Sequence, residues 1–178
     1  AHAYPEVTRV DFEGRKHGYG QRHNACWSSP AFRRLAVGIA GRVAQRYASN
    51  PNVVAWHIGN EYGGDGGACF CSNCAAEFRL WLREKYGTLE ALNDAWNTTF
   101  WSHRFTDFEQ IVPPSALTEH WKGRGYTAFQ GITLDYYRFS TDNAIRQYNE
   151  EKAAIRAHSD LPVTTNFMGA FEPLDYHR

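Results

Sequence analysis

Val53-Val54-Ala55-Trp56-His57-Ile58-Gly59-Asn60-Glu61-Tyr62 is the stretch on which the reading of this chain turns. Its short apolar run, with β-branched and aromatic residues, predicts a strand over 53–58 that is buried on both faces, as in parallel sheets. The run ends at Gly59, and Asn60-Glu61 passes into Gly63-Gly64-Asp65-Gly66-Gly67. A carboxylate therefore emerges at the mouth of a buried strand. Partial desolvation there raises a carboxyl pKa toward the range useful for proton transfer. The glycines superficially match a phosphate-cradling loop but lack its Lys-Ser/Thr, so a flexible turn is expected.

Working outward, Ser28-Ser29-Pro30 is a cap-and-proline helix start. Phe32, Leu35, Ala36, Ile39, Ala40, Val43, Ala44 and Tyr47 follow at helical spacing, and Asn50-Pro51 closes the helix. Downstream, Phe78, Trp81, Leu82 and Tyr86 predict a helix over 74–86 that stops at Gly87, with a shorter one over 88–96. Residues 97–130 lack a period and read as an extended loop, a length that is usually functional. A long amphipathic helix over 132–158 runs through Leu134, Tyr137, Ile145, Tyr148 and Ile155, and the next strand falls at 161–167. Residues 1–27 read as an irregular loop. The order is helix, strand, insertion, helix, strand. This is βαβ logic with an elaborate insertion over 62–130, on the side where α/β enzymes place their active sites.

Composition narrows the function classes. With 178 residues the chain can build one real core. Its 19 basic and 19 acidic residues cancel, giving no electrostatic case for nucleic acid or an anionic membrane as partner. No apolar run approaches the ~20 residues that span a bilayer. The 11 Phe, 10 Tyr and 6 Trp suit either sugar stacking or an ordinary core. The chain starts without Met and stops at Asp175-Tyr176-His177-Arg178, which reads as a segment cut from a longer polypeptide.

Cys69, Cys71 and Cys74 lie one and two residues apart, with Cys26 far upstream. Four thiolates converging from two segments are the usual composition of a structural tetrahedral zinc site, which leaves no open position for water. A pair of disulfides or four free thiols are the alternatives, although a Cys69–Cys71 bridge would be strained. His57 shares strand parity with Glu61 and reads as a hydrogen-bonded core residue. Asn97-Thr98-Thr99 matches a glycosylation sequon by pattern alone. Trp96 and Trp101 frame a loop able to stack on sugar.

Taken in order, these blocks resemble glycoside hydrolase family 42, the β-galactosidases of the retaining clan A. The resemblance rests on Arg22-His23-Asn24-Ala25-Cys26 with Ser29-Pro30, on Asn60-Glu61-Tyr62-Gly63, and on Cys69-x-Cys71-x-x-Cys74. Phe78-x-x-Trp81-Leu82-x-x-Lys85-Tyr86-Gly87, Leu89-x-x-Leu92-Asn93, Trp96 and Thr164-Thr165-Asn166-Phe167-Met168 extend it over nearly the whole chain. It implies a partial (β/α)8 barrel, from the loop after strand three to strand five, with a zinc-bearing insertion after strand four. The whole of 1–178 would then be a fragment of one catalytic domain.

By the same resemblance, Glu61 is the acid/base and Asn60 bonds the hydroxyl next to the anomeric centre. Arg22 holds the non-reducing galactose, and Cys26, Cys69, Cys71 and Cys74 hold structural zinc. Family members form trimers, and Trp101 is the candidate for the tryptophan that a neighbour lends to the site. A cytoplasmic home is expected. The second carboxylate, about 5–5.5 Å from the first in retaining enzymes, belongs to a later strand; Glu172 comes too early to match it. The isolated segment is therefore expected to be inactive. With two strands that cannot close a barrel, it is also expected to be marginally stable. A different clan-A activity, such as α-L-arabinopyranosidase, and a non-catalytic zinc-stabilised binding module are the alternatives.

Overall fold

Ser29 starts the first helix as its sequence predicts, its hydroxyl accepting the Phe32 N–H at 3.3 Å with Pro30 in the first turn. In the computed structural model the described residues are 3–20, 22–62, 68–118, 130–167 and 174–178. They form α1 (Pro30–Tyr47), β1 (Trp56–His57), α2 (Ser72–Tyr86), α3 (Leu89–Ala95), α4 (Gln130–Arg156) and β2 (Val163–Thr164). Short 3-10 turns lie at Pro5–Val7, Phe100–Ser102 and Phe108–Gln110.

β1 and β2 pair in parallel, Trp56 opposite Val163 and His57 opposite Thr164. The Trp56 and Ile58 amides donate to Pro162 O and Thr164 O, at 2.8 and 2.9 Å. Both strands are shorter than predicted. Nor is β1 buried on both faces: Trp56 and Ile58 are buried, while His57 is exposed and Val54 is 76% exposed. The expectation of two covered faces fails because, among the described residues, β1 pairs only with β2 and α1 and α4 cover one side. The predicted irregular start likewise contains two antiparallel bridges, Thr8 with Ala25 and Val10 with Lys16.

Two packed clusters hold the elements. Ala44 of α1, Trp56 and Ile58 of β1 and Ile155 of α4 form the smaller one, beneath the strands. The larger joins Cys26 and Cys74 to Phe78, Leu82, Leu92, Trp96, Ile111, Ile132, Tyr136 and Phe139. Phe78, Leu82, Leu92 and Ile111 have no exposed surface, so each contributes roughly 1.5–3 kcal/mol of burial. Trp96 lies in this core and donates its indole N–H to Asp135 at 3.0 Å, so it anchors the loop and presents no face to a sugar.

The apolar stripes are only half right. Ala40 and Ala44 of α1 face the smaller cluster, yet Leu35, Ile39, Val43 and Tyr47 are exposed. On α4 the buried face runs through Ile132, Asp135, Tyr136, Phe139, Asn143, Ala144 and Gln147, not through Leu134 and Ile145. Asp135 explains how a polar residue can lie there. It is 1% exposed and accepts from Lys85, from Tyr86 Oη at 2.5 Å, from Trp96 and from Arg138 at 2.9 Å. One carboxylate thereby ties α2 and the end of α3 to α4.

Candidate active site and cysteine cluster

Gly59 turns the chain out of β1 in a left-handed conformation, φ 59°, and Glu61 takes the same region at φ 54°. A non-glycine residue holds that conformation only where its surroundings impose it. Asn166, two residues past the end of β2, supplies one constraint: its Oδ1 accepts the Glu61 amide at 3.1 Å. The same oxygen meets His57 Nε2 at 3.0 Å. An amide oxygen only accepts, so His57 must carry its proton on Nε2. His57 is thus hydrogen-bonded as expected, although exposed on this face.

Tyr62 supplies the second constraint. It is 6% exposed, and its ring meets those of Trp27, Phe167 and Tyr148 at centroid distances of 5.7, 6.4 and 6.5 Å. Its hydroxyl donates to Glu151 Oε1 at 3.4 Å, and Gln147 Nε2 donates to that oxygen at 2.6 Å. Burial, reinforced by the Glu151 charge, pushes the Tyr62 hydroxyl well above its ordinary pKa, so it remains a donor. Glycine is required at 59 because a Cβ there would lie 2.5 Å from the Tyr62 ring.

The upstream loop closes over this turn. Arg22 Nη2 is in contact with Glu61 Oε2. His23, itself left-handed at φ 52°, donates from Nε2 to the Asn60 carbonyl at 2.9 Å. Arg22, Asn60 and Glu61, singled out in the sequence, therefore meet at one place. Alongside lies a cavity of about 330 Å³, lined in part by His23, Asn60, Tyr62, Gln147 and Glu151. Glu172, the Gly63–Gly67 turn and the Trp101 side chain lie outside the described residues.

The cysteines converge on the far side of that loop. The sulfurs of Cys26, Cys69, Cys71 and Cys74 all lie within 4.8 Å of one another, and Cys26 Sγ is 3.5 Å from Cys71 and 3.4 Å from Cys74. A tetrahedral zinc with bonds of about 2.3 Å needs sulfurs about 3.8 Å apart, so the four donors fit such an ion. None of the four forms a disulfide.

Cys71 caps α2 and Cys74 lies in its first turn, where the helix dipole favours thiolate. Hydrogen bonding within the cluster splits the set: bonds with Cys26 hold Cys71 and Cys69 below the ordinary thiol pKa, while bonds with Cys69 raise Cys26 and bonds with Cys26 raise Cys74. A cation would remove that competition and let all four ionise. Tyr136, 1% exposed, donates its hydroxyl to the Cys69 carbonyl and fixes the approach of that arm.

Sequence reasoning missed Arg9, whose guanidinium donates to His23 O at 3.0 Å from a site that is 6% exposed. His23 and Asn166 stand in the sequence motifs with no role that the sequence assigns. Their signal was proximity in sequence to Arg22 and to the end of a strand.

Parallel strands joined through helices, with a carboxylate just beyond the C-terminal end of one strand, place the segment among α/β proteins. A match to glycoside hydrolase family 42, described as β-galactosidase, runs over residues 1–178. The chain is 49% identical to β-galactosidase BgaP of Planococcus sp. (strain L4), matching over 100% of its own length and 26% of that protein. Among solved structures, the β-galactosidase of Bacillus circulans sp. alkalophilus superposes with a TM-score of 0.93 at 52% identity, covering 99% of this chain and 26% of the other. The cold-adapted β-galactosidase of Rahnella sp. R3 gives 0.88 at 43%, covering 98% and 24%. The chain belongs to glycoside hydrolase family 42 and is a partial piece of its barrel. It spans about a quarter of the length of the relatives it matches.

Proposed function

We propose that this chain is the acid/base-bearing segment of a retaining β-galactosidase that cleaves terminal non-reducing β-D-galactosides. The observation that carries the reading is the convergence of Glu61, Asn60 and Arg22 at the end of β1, with Glu61 held in a left-handed turn by Asn166 from the neighbouring strand. Glu61 protonates the glycosidic oxygen as its bond to the anomeric carbon breaks. A glutamate outside this chain takes that carbon. Glu61 then removes a proton from the water that releases the sugar. Asn60 bonds the hydroxyl beside the anomeric centre. Arg22 holds the galactose, and since it rests on Glu61, sugar binding and release of the acid are one motion.

The test is Glu61→Gln in the complete polypeptide that carries this segment. An acid/base loss lowers kcat/KM about 10²–10⁴-fold for galactosides with poor leaving groups. It should spare the first step for an activated aryl galactoside, whose leaving group needs no proton, and added azide should then speed turnover. Equal loss on both substrates without rescue sinks the assignment. Faster cleavage of an α-L-arabinopyranoside than of the galactoside would move the substrate class.

The four cysteines are read as the ligands of structural zinc, which on binding supplies a fixed crosslink between the arms bearing Cys26 and Cys69; the sulfur spacing supports this. The reading places the chain in the cytoplasm, where a reducing environment keeps cysteines available as metal ligands. Among the described residues no helix is long and apolar enough to cross a membrane. The reading also includes a homotrimer in which a neighbour's Trp101 reaches the sugar. The family resemblance supports it. Trp101→Ala should raise KM for the galactoside without changing oligomeric mass, and an unchanged KM would remove Trp101 from the site.

A further inference from the structure

Residues 7–10 lie between the two cysteine arms. The Cys26 amide donates to Val7 O at 2.7 Å, Arg9 N donates to Asn24 O at 2.9 Å, and on the other side Phe70 N donates to Val10 O at 2.9 Å. From the middle of this segment the Arg9 side chain reaches inward. It lines a small cavity with Cys69, Cys74 and Tyr136 and, on its other flank, the larger cavity with His23 and Asn60. A guanidinium this buried needs anionic neighbours, and the sulfurs of Cys69 and Cys74, which line the same cavity, would supply them once a bound cation ionises the cluster. A divalent ion held by four thiolates would leave an excess negative charge, which the Arg9 guanidinium would partly offset.

The outer end of Arg9 holds the loop. Nη1 donates to the His23 carbonyl, and the His23 ring donates to the Asn60 carbonyl. His23 and Glu61 are both left-handed, and these bonds supply restraint that such conformations need. Arg22, next to His23, meets Glu61 as a result.

We propose that Arg9 is a positioning residue that transmits the placement of the cysteine cluster to the loop carrying Arg22 and, through His23, to Asn60-Glu61. This rests on the acid/base reading of Glu61. A lysine at 9 keeps the charge beside the thiolates but lacks the planar fork that reaches the His23 carbonyl.

The experiment uses the complete polypeptide loaded with zinc, with Arg9→Met, Arg9→Lys and Arg22→Ala. Arg9→Met should release zinc to a chromogenic chelator about tenfold faster or more. It should also lower kcat/KM on an aryl β-galactoside about tenfold or more. Arg9→Lys should keep slow zinc release yet still lose kcat/KM, and it decides the matter alone if the Met variant fails to fold. In an Arg22→Ala background the Arg9 substitution should cost less than about twofold, since both act on one loop.

Additive losses, or unchanged kcat/KM in both Arg9 variants, overturn the proposal, as does a wild-type protein that folds without binding zinc. Should Glu61→Gln leave turnover intact, the acid/base reading fails instead, and the chelator rates still judge the tie between Arg9 and the cluster.

Discussion

Replacing Gly59 by alanine separates two costs that the structure assigns to one position. Gly59 and Gly87 both have positive φ, 59° and 71°. At Gly87, φ 71° and ψ −49°, a new Cβ meets nothing within 4 Å, so Gly87→Ala should cost only the backbone penalty of that conformation, about 1–3 kcal/mol. At Gly59 the Cβ would lie 2.5 Å from Tyr62 Cε2 and 2.7 Å from Cζ. That ring cannot swing aside, because Trp27, Tyr148 and Phe167 enclose it. Overpacking adds roughly 1–3 kcal/mol, so Gly59→Ala should destabilise by about 2–5 kcal/mol.

The strain also falls next to Glu61, and a displacement of ~1 Å in a reacting group costs on the order of 10²-fold in rate. Denaturant unfolding and kcat/KM, measured on both variants in the complete polypeptide, give the comparison. Gly87→Ala should retain wild-type kcat/KM. Equal destabilisation by the two substitutions, or full activity in Gly59→Ala, would refute the argument that Tyr62 and Gly59 set the turn.

Asp135→Asn should destabilise by about 1–3 kcal/mol at neutral pH, an estimate resting on the buried Trp96 and Tyr86 bonds, since Lys85 and Arg138 are partly solvated. Burial disfavours the Asp135 charge, but hydrogen bonds from Lys85, Tyr86, Trp96 and Arg138 outweigh it and lower its folded pKa. Its contribution is therefore present above the unfolded value of about 3.9 and lost as pH falls through the folded one. Melting curves from pH 7 downward should show variant and wild type converging in acid; a constant gap contradicts the assignment. Cys26→Ser should abolish zinc that otherwise survives dialysis at one ion per chain, read by metal analysis, and a folded wild-type protein without metal would end the zinc reading. Residues 1–178 alone should not hydrolyse a chromogenic β-galactoside, and turnover abolished by Glu61→Gln would reverse that expectation.

Local chemistry was the most legible part of this chain. Ser29 and Gly87 mark helix ends because each satisfies or relaxes backbone groups within one turn, and both lie where the sequence put them. Glu61 was visible because a carboxylate after an apolar strand is unusual. The rest depends on partners distant in sequence. Asp135 looks like a solvated helix residue until Lys85 and Tyr86 are brought to it, and Glu151 does so until Tyr62 is. Arg9 reads as one more surface arginine, since nothing near it predicts burial beside thiols. Leu35, Ile39 and Val43 show the converse: their spacing marks an apolar face, but among the described residues nothing covers it.

Asn166 sets a schedule as well as a geometry. Its side chain fixes a backbone amide 105 residues earlier in the chain, and the β1 pairing spans nearly the same interval. A ribosome adding about 5–20 residues per second needs roughly 5–20 seconds to cover that distance. Until then the Glu61 turn lacks the bond that holds it. The Glu61 turn is thus made early and set late, and a nascent chain carries it without its restraint until Asn166 arrives.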